Sequence, residues 1–173
     1  LKKDITRFAP VWGLYSVVLL LILMVFSDNG SGWAANDFYD FLGSASLIQL
    51  AYGGICAALL FGDLFNPRMC NALHALPLRR DCWFGSHVAS GIAFSLLPNV
   101  VITLISLPIL RLGNGWISVL WWLLASELQY LYFFGTAVLC VMLTGNRFGQ
   151  AALYGILNFA GVLAYWMASA VYE

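Results

Sequence analysis

Residues 66–81 read NPRMCNALHALPLRRD, a basic, proline-bounded stretch set between two long apolar runs. Arg68, Arg79 and Arg80 make it the richest in positive charge of all the segments between apolar runs. Short loops retained inside a membrane carry the Lys/Arg excess, which places this one on the cytoplasmic side. Asn66 suits the cap of a short helix and Pro67 its first turn, where a missing amide is tolerated. Phe65, Met69, Leu73 and Leu76 recur three or four positions apart and form one apolar stripe. Pro77 ends that helix, and Leu78-Arg79-Arg80 leads back to the membrane. A plain turn has no need of this pattern, whereas a helix lying across the cytoplasmic ends of two spans does. The stretch therefore reads as a docking element.

Composition agrees with a membrane setting. The chain has 173 residues, of which 62% are hydrophobic and only 9% charged. Soluble domains carry roughly 25% charged residues, and the mean hydropathy here is +0.85. A formal net charge of zero is uninformative about nucleic acid, but no basic patch is large enough to suggest it, so no nucleic-acid partner is expected. Cys56, Cys70, Cys82 and Cys140 form no CxxC pair, and none falls in a loop assigned outside. That argues against a disulfide framework and against a thiolate metal site.

Outward from the basic loop, the chain reads as an all-α, polytopic membrane bundle of about five transmembrane helices. The expected spans are about Phe8 to Phe26, Ala45 to Phe65, Cys82 to Leu107, Trp116 to Leu143 and Gln150 to Val171. A short amphipathic segment, Ala35 to Leu42, is expected on the surface ahead of the second span. Seven of the eight Lys and Arg residues fall inside under this topology, with Arg111 alone outside. The N-terminus is then cytoplasmic and Glu173 extracellular, in a multi-pass protein of the plasma membrane. Gly53-Gly54, and the pairs Gly85/Ala89 and Ser86/Ser90, predict close helix contacts. Pro98-Asn99 interrupts the third span's hydrogen bonding and predicts a kink, read either as a hinge or as a packing feature.

Few residues offer chemistry. Glu127 is the one acidic residue deep in a span, with Gln129 two positions on, and Asn158 is the polar residue of the fifth span. Burying a carboxylate in lipid is costly, so Glu127 is expected to face the bundle, a cavity or a partner. A neutral, structural Glu127 is the preferred reading over a proton or substrate contact. His74 and His87 are too far apart and too poor in nearby carboxylates for a metal site. No catalytic constellation and no phosphate-binding GK[ST] loop occurs, so no cofactor is expected in this chain and no enzymatic activity is assigned to it.

The segment Phe65-Asn66-Pro67-Arg68, then Asn71-Ala72-Leu73-His74-Ala75-Leu76-Pro77-Leu78-Arg79-Arg80, with Gly91 and Leu96-Leu97-Pro98-Asn99 beyond it, resembles Gram-positive ABC-2-type transporter permeases. Lys3 to Tyr15 is similar to their N-terminal segment, although Ala9 and Ala75 stand where the family usually has Trp and Ser. The resemblance implies that 66–76 is a cytoplasmic coupling helix docking on a separate ATPase subunit. Asn66, Arg68, Met69, Leu73, His74, Leu76, Arg79 and Arg80 are then the docking residues. It also implies ATP and Mg bound in that partner, a second permease subunit, homologous or identical, and a lipid surround. Family permeases usually have six spans, so residues 1–173, read as one permease domain, are expected to be part of a longer chain. The rival readings are an accessory or regulatory membrane subunit and a secondary transporter or channel subunit that uses Glu127.

Overall fold

Apolar runs of this length leave the backbone no hydrogen-bond partner but itself, which in lipid selects the α-helix. The computed structural model describes residues 9–27, 35–65, 80–109 and 116–172. Within them lie five long helices: α1 (Ala9–Ser27), α2 (Ala35–Leu60), α3 (Arg80–Ile109), α4 (Trp116–Thr144) and α5 (Arg147–Tyr172). A single 3₁₀ turn, Gly62–Phe65, follows α2. Asn66, Arg68, Met69, Leu73, His74, Leu76 and Arg79 fall outside the described residues, and Arg80 is the first residue of α3.

The fold is all-α and of multi-pass membrane type. Among the described residues, Cys82–Ile105, Leu120–Thr144 and Arg147–Val171 are long and apolar enough to cross a membrane. The apolar parts of α1 and α2, Ala9–Leu21 and Ala45–Leu60, are shorter. Two boundaries differ from expectation. Residues 35–42 do not form a separate surface segment; they are continuous with α2, so Gly43 does not break the helix. At its other end α2 stops at Leu60, and the 3₁₀ turn takes the chain to Phe65.

Helix directions follow from which residues meet. Tyr52 of α2 bonds to Phe94 of α3, while Phe61 packs on Trp83, Phe84 and His87, so α2 and α3 are antiparallel. Gly91 lies against Phe134 of α4 and Asn99 against Glu127, so α3 and α4 are antiparallel too. It follows that α2 and α4 run the same way, and they share the most extensive packing in the bundle.

The α2–α4 contact is close because of Gly53. A Cβ there would stand 3.1 Å from both the Phe133 Cβ and the Phe134 backbone nitrogen. Gly54 does the same for α5: a Cβ would meet the Tyr154 ring at 3.0 Å, and the Tyr154 hydroxyl passes over it to donate to the Leu50 carbonyl at 2.8 Å. The expected close approach at Gly53-Gly54 is therefore present. The expected contact at Gly85 and Ala89 is not; both are exposed, and Gly85 has open space around it. On α3 the tight position is instead Gly91, which lies directly under the Phe134 ring.

A short turn joins α4 to α5. Gly145 has φ 58°, the left-handed conformation that ends a helix and that glycine adopts without strain. Its amide donates to the Val141 carbonyl, and the Asn146 side chain caps α5 by accepting from the Phe148 amide at 3.3 Å. The Arg147 guanidinium lies near Gly62, so this turn and the loop after α2 occupy the same end of the bundle.

Gly91→Ala should lower the thermal unfolding temperature of the purified protein, because the added methyl and the Phe134 ring need the same space. The expected cost is about 1–3 kcal/mol. Adding Phe134→Leu should recover part of it, and a scattering or thiol-reactive melt would read both effects.

Candidate intramembrane polar site

Pro98 lies buried inside the uninterrupted helix α3. Proline has no amide hydrogen, so the carbonyl four residues earlier, that of Phe94, loses its intrahelical donor. In lipid that carbonyl would otherwise stay unpaired. The Tyr52 hydroxyl of α2 donates to it at 2.9 Å. One turn earlier on α3, the Tyr130 hydroxyl of α4 donates to the Gly91 carbonyl, also at 2.9 Å. The two tyrosines thus fasten α3 from both sides next to its proline. Tyr52 is further held by stacking on Tyr15 of α1, with ring centroids 3.9 Å apart and planes 3° from parallel.

Beyond this point α3 turns a polar stripe inward. Ser95, Asn99 and Thr103 are four apart, hence on one face, and all three are buried. The Asn99 amide nitrogen donates to Glu127 Oε1 of α4 at 2.9 Å, and the Ser95 hydroxyl donates to the same oxygen at 3.2 Å. Asn99 also donates to Ser95 Oγ at 3.2 Å, closing a three-membered network. Thr103 turns back along α3 and donates to the Asn99 carbonyl at 2.7 Å. Glu127 is half-buried and lies past the start of the apolar span Leu120–Thr144, about 10 Å inside it.

Two more buried polar side chains come from α1 and α2. The Tyr15 hydroxyl lies beside Glu127, Asn99 and Ser95, yet closes a hydrogen bond with none of them. Gln49 is 0% exposed and neither of its amide atoms has a partner. It stands one turn before Tyr52 on α2, which packs along α4 with Tyr52 beside Tyr130. Asn99 Oδ1 is likewise buried without a partner.

The expected residues therefore part company. Glu127 and Asn99 are brought together. Pro98 neighbours them through the backbone it disturbs. Asn158 bonds within α5 to the Tyr154 carbonyl at 2.8 Å, and Gln129, half-buried, has an oxygen without a partner. Ser95, Tyr15 and Thr103 complete the arrangement and were not singled out from the sequence. For the α3 pair the signal was there, a polar residue at every fourth position of an apolar helix that also carries Pro98-Asn99. The chain matches no family model, no curated protein and no solved structure.

Two substitutions probe the site. Tyr52→Phe removes the hydroxyl that donates to the Phe94 carbonyl and should destabilise the fold by about 0.5–2 kcal/mol, the range of one interhelical hydrogen bond in a membrane bundle. Asn99→Leu combined with Glu127→Met should cost less than the two single changes added together. A coupling of about 0.5–2 kcal/mol is expected from a double-mutant cycle of detergent unfolding.

Proposed function

We propose that the chain is the transmembrane permease subunit of an ATP-binding-cassette exporter of the ABC-2 type. It crosses the plasma membrane five times, with a cytoplasmic N-terminus and residue 173 on the outer side. The observation that carries this reading is the run from Phe65 to Arg80, together with Gly91 and Pro98-Asn99, which has the residue types and order of that family's central motif. On this reading residues 66–76 are the coupling element, as the resemblance implies. Asn66, Arg68, Met69, Leu73, His74, Leu76, Arg79 and Arg80 meet a separate ATPase subunit, which binds ATP and Mg. A second permease subunit completes the pathway.

Geometry supports the reading in two ways. The ends of α2 and α3 that flank 66–79 lie together, joined by the packing of Phe61 on Trp83 and His87. A load applied to the loop would therefore reach both helices at once. In addition, Arg80 at the start of α3 and Arg147 beside Gly62 belong to the same end of the bundle, the pattern expected of a cytoplasmic face.

The test is co-purification. Leu73→Asp with Leu76→Asp puts two charges on the apolar stripe read from the sequence and changes no residue of the described helices. Recovery of a co-expressed ATPase subunit should fall by at least about tenfold, as for loss of an interface anchor. Undiminished recovery and undiminished ATP turnover would overturn the docking assignment.

A further inference from the structure

Side chains from three helices, α1, α3 and α4, meet at the level of Glu127, and the buried oxygens of Tyr15 and Asn99 there have no partner. We propose that Tyr15, Ser95, Asn99 and Glu127 form a binding site for one small monovalent cation. This goes beyond the permease reading and does not rest on it.

The donor set argues for a hard cation. Glu127 supplies a carboxylate, Asn99 an amide oxygen that is buried without a partner, and Tyr15 a hydroxyl oxygen in the same condition. Ser95 Oγ gives its hydrogen to Glu127 and accepts one from Asn99, which leaves one lone pair. Oxygen ligands of this kind suit alkali and alkaline-earth ions, whereas thiolate and imidazole suit transition metals. Among the described residues no group of three His, Cys, Asp or Glu side chains gathers to hold a transition metal.

Charge then selects the valence. No Lys, Arg or His occurs in 88–110 or in 112–146, so no basic side chain from these stretches of α3 and α4 balances Glu127. One monovalent cation makes the site neutral. A divalent ion would leave a net positive charge inside the apolar span Leu120–Thr144, where an uncompensated charge is costly. The side chains are also held in advance. Tyr15 is 2% exposed and stacked on Tyr52, and Asn99 is fixed by Ser95 and Glu127. Ordered water can satisfy the same oxygens, because it too needs only a few polar partners. Water and a cation differ in one measurable respect, since only the cation makes stability depend on which salt is present.

The experiment uses the purified protein in lipid nanodiscs, melted in sodium, potassium or N-methylglucamine chloride at matched ionic strength. Sodium should raise the melting temperature over N-methylglucamine in a saturable way, as mass action requires of a ligand that binds only the folded state. Glu127→Gln should abolish that increment. Ser95→Ala, a mild change within a helix, should weaken the apparent sodium affinity by about tenfold, the loss of one oxygen ligand. Should Glu127→Gln fail to fold, Ser95→Ala and radioactive sodium binding to the unaltered protein, at one ion per chain, decide the matter. Equal melting in all three salts overturns the proposal. So does a sodium effect that survives Glu127→Gln, or a response to pH with none to sodium.

Discussion

Lipid offers no hydrogen bonds, so a polar group that its own helix leaves unpaired has to look to another helix for its partner. Pro98 creates such a debt in the middle of α3, and the way it is met organises the bundle. The Phe94 carbonyl is satisfied from α2 by Tyr52. Tyr130 of α4 reaches the Gly91 carbonyl one turn away. A proline in an isolated apolar helix would simply weaken it. Here it exposes an acceptor, and the acceptor recruits a neighbour.

Glycine placement is the complement of that constraint. A tyrosine hydroxyl reaches the backbone of another helix only where the two approach closely, and Gly53, Gly54 and Gly91 set that approach. Gly54 lets the Tyr154 ring lie flat enough for its hydroxyl to meet Leu50, while Gly91 admits the Phe134 ring beside Tyr130. Buried hydrogen bonds in membranes average only about 0.6 kcal/mol each. What holds the helices is the close packing at the glycines; what the tyrosines add is register, because each hydroxyl has one carbonyl to meet. By contrast, the second half of α5 is exposed from Phe159 to Val171 among the described residues. Apart from Ser169 its side chains are apolar or aromatic, a composition that suits lipid.

Much of the architecture was legible because composition and hydropathy report directly on burial in lipid. The positions of the long helices, the close approach at Gly53-Gly54 and the break between the fourth and fifth spans all follow from local signals. The continuity of residues 35–42 with α2 was missed since Asp37 and Asp40 look like loop residues when read locally, although a helix extending past an apolar core tolerates them. Gly85 and Ala89 misled in the opposite direction. Small-residue spacing shows that two helices could approach, not that they do, and only tertiary packing chose Gly91 instead. At the polar site, Glu127 and Asn99 each stood out alone. Their pairing, and the presence of Tyr15, depends on which helix neighbours which, and no local pattern contains that.

The relation between the basic loop and the polar site is a matter of stiffness. Both flanks of the loop enter helices that are bound to each other twice, at Phe61 with Trp83 and His87 and again at Tyr52 with Phe94. Between those points neither helix can slide past the other without breaking a buried bond. A displacement of one of these helices would therefore carry the other with it, and α4 as well, since α4 packs along α2 and holds α3 at Gly91 through Tyr130 and Phe134. One to two turns beyond Gly91, α3 meets α4 differently, at Ser95, Asn99 and Glu127, where the contacts are polar and Asn99 Oδ1 has no partner. Close apolar packing leaves no alternative partners, whereas a polar contact with an unfilled position has one. Local rearrangement at the polar site therefore needs only side chains to turn, while the helices that carry them stay in place.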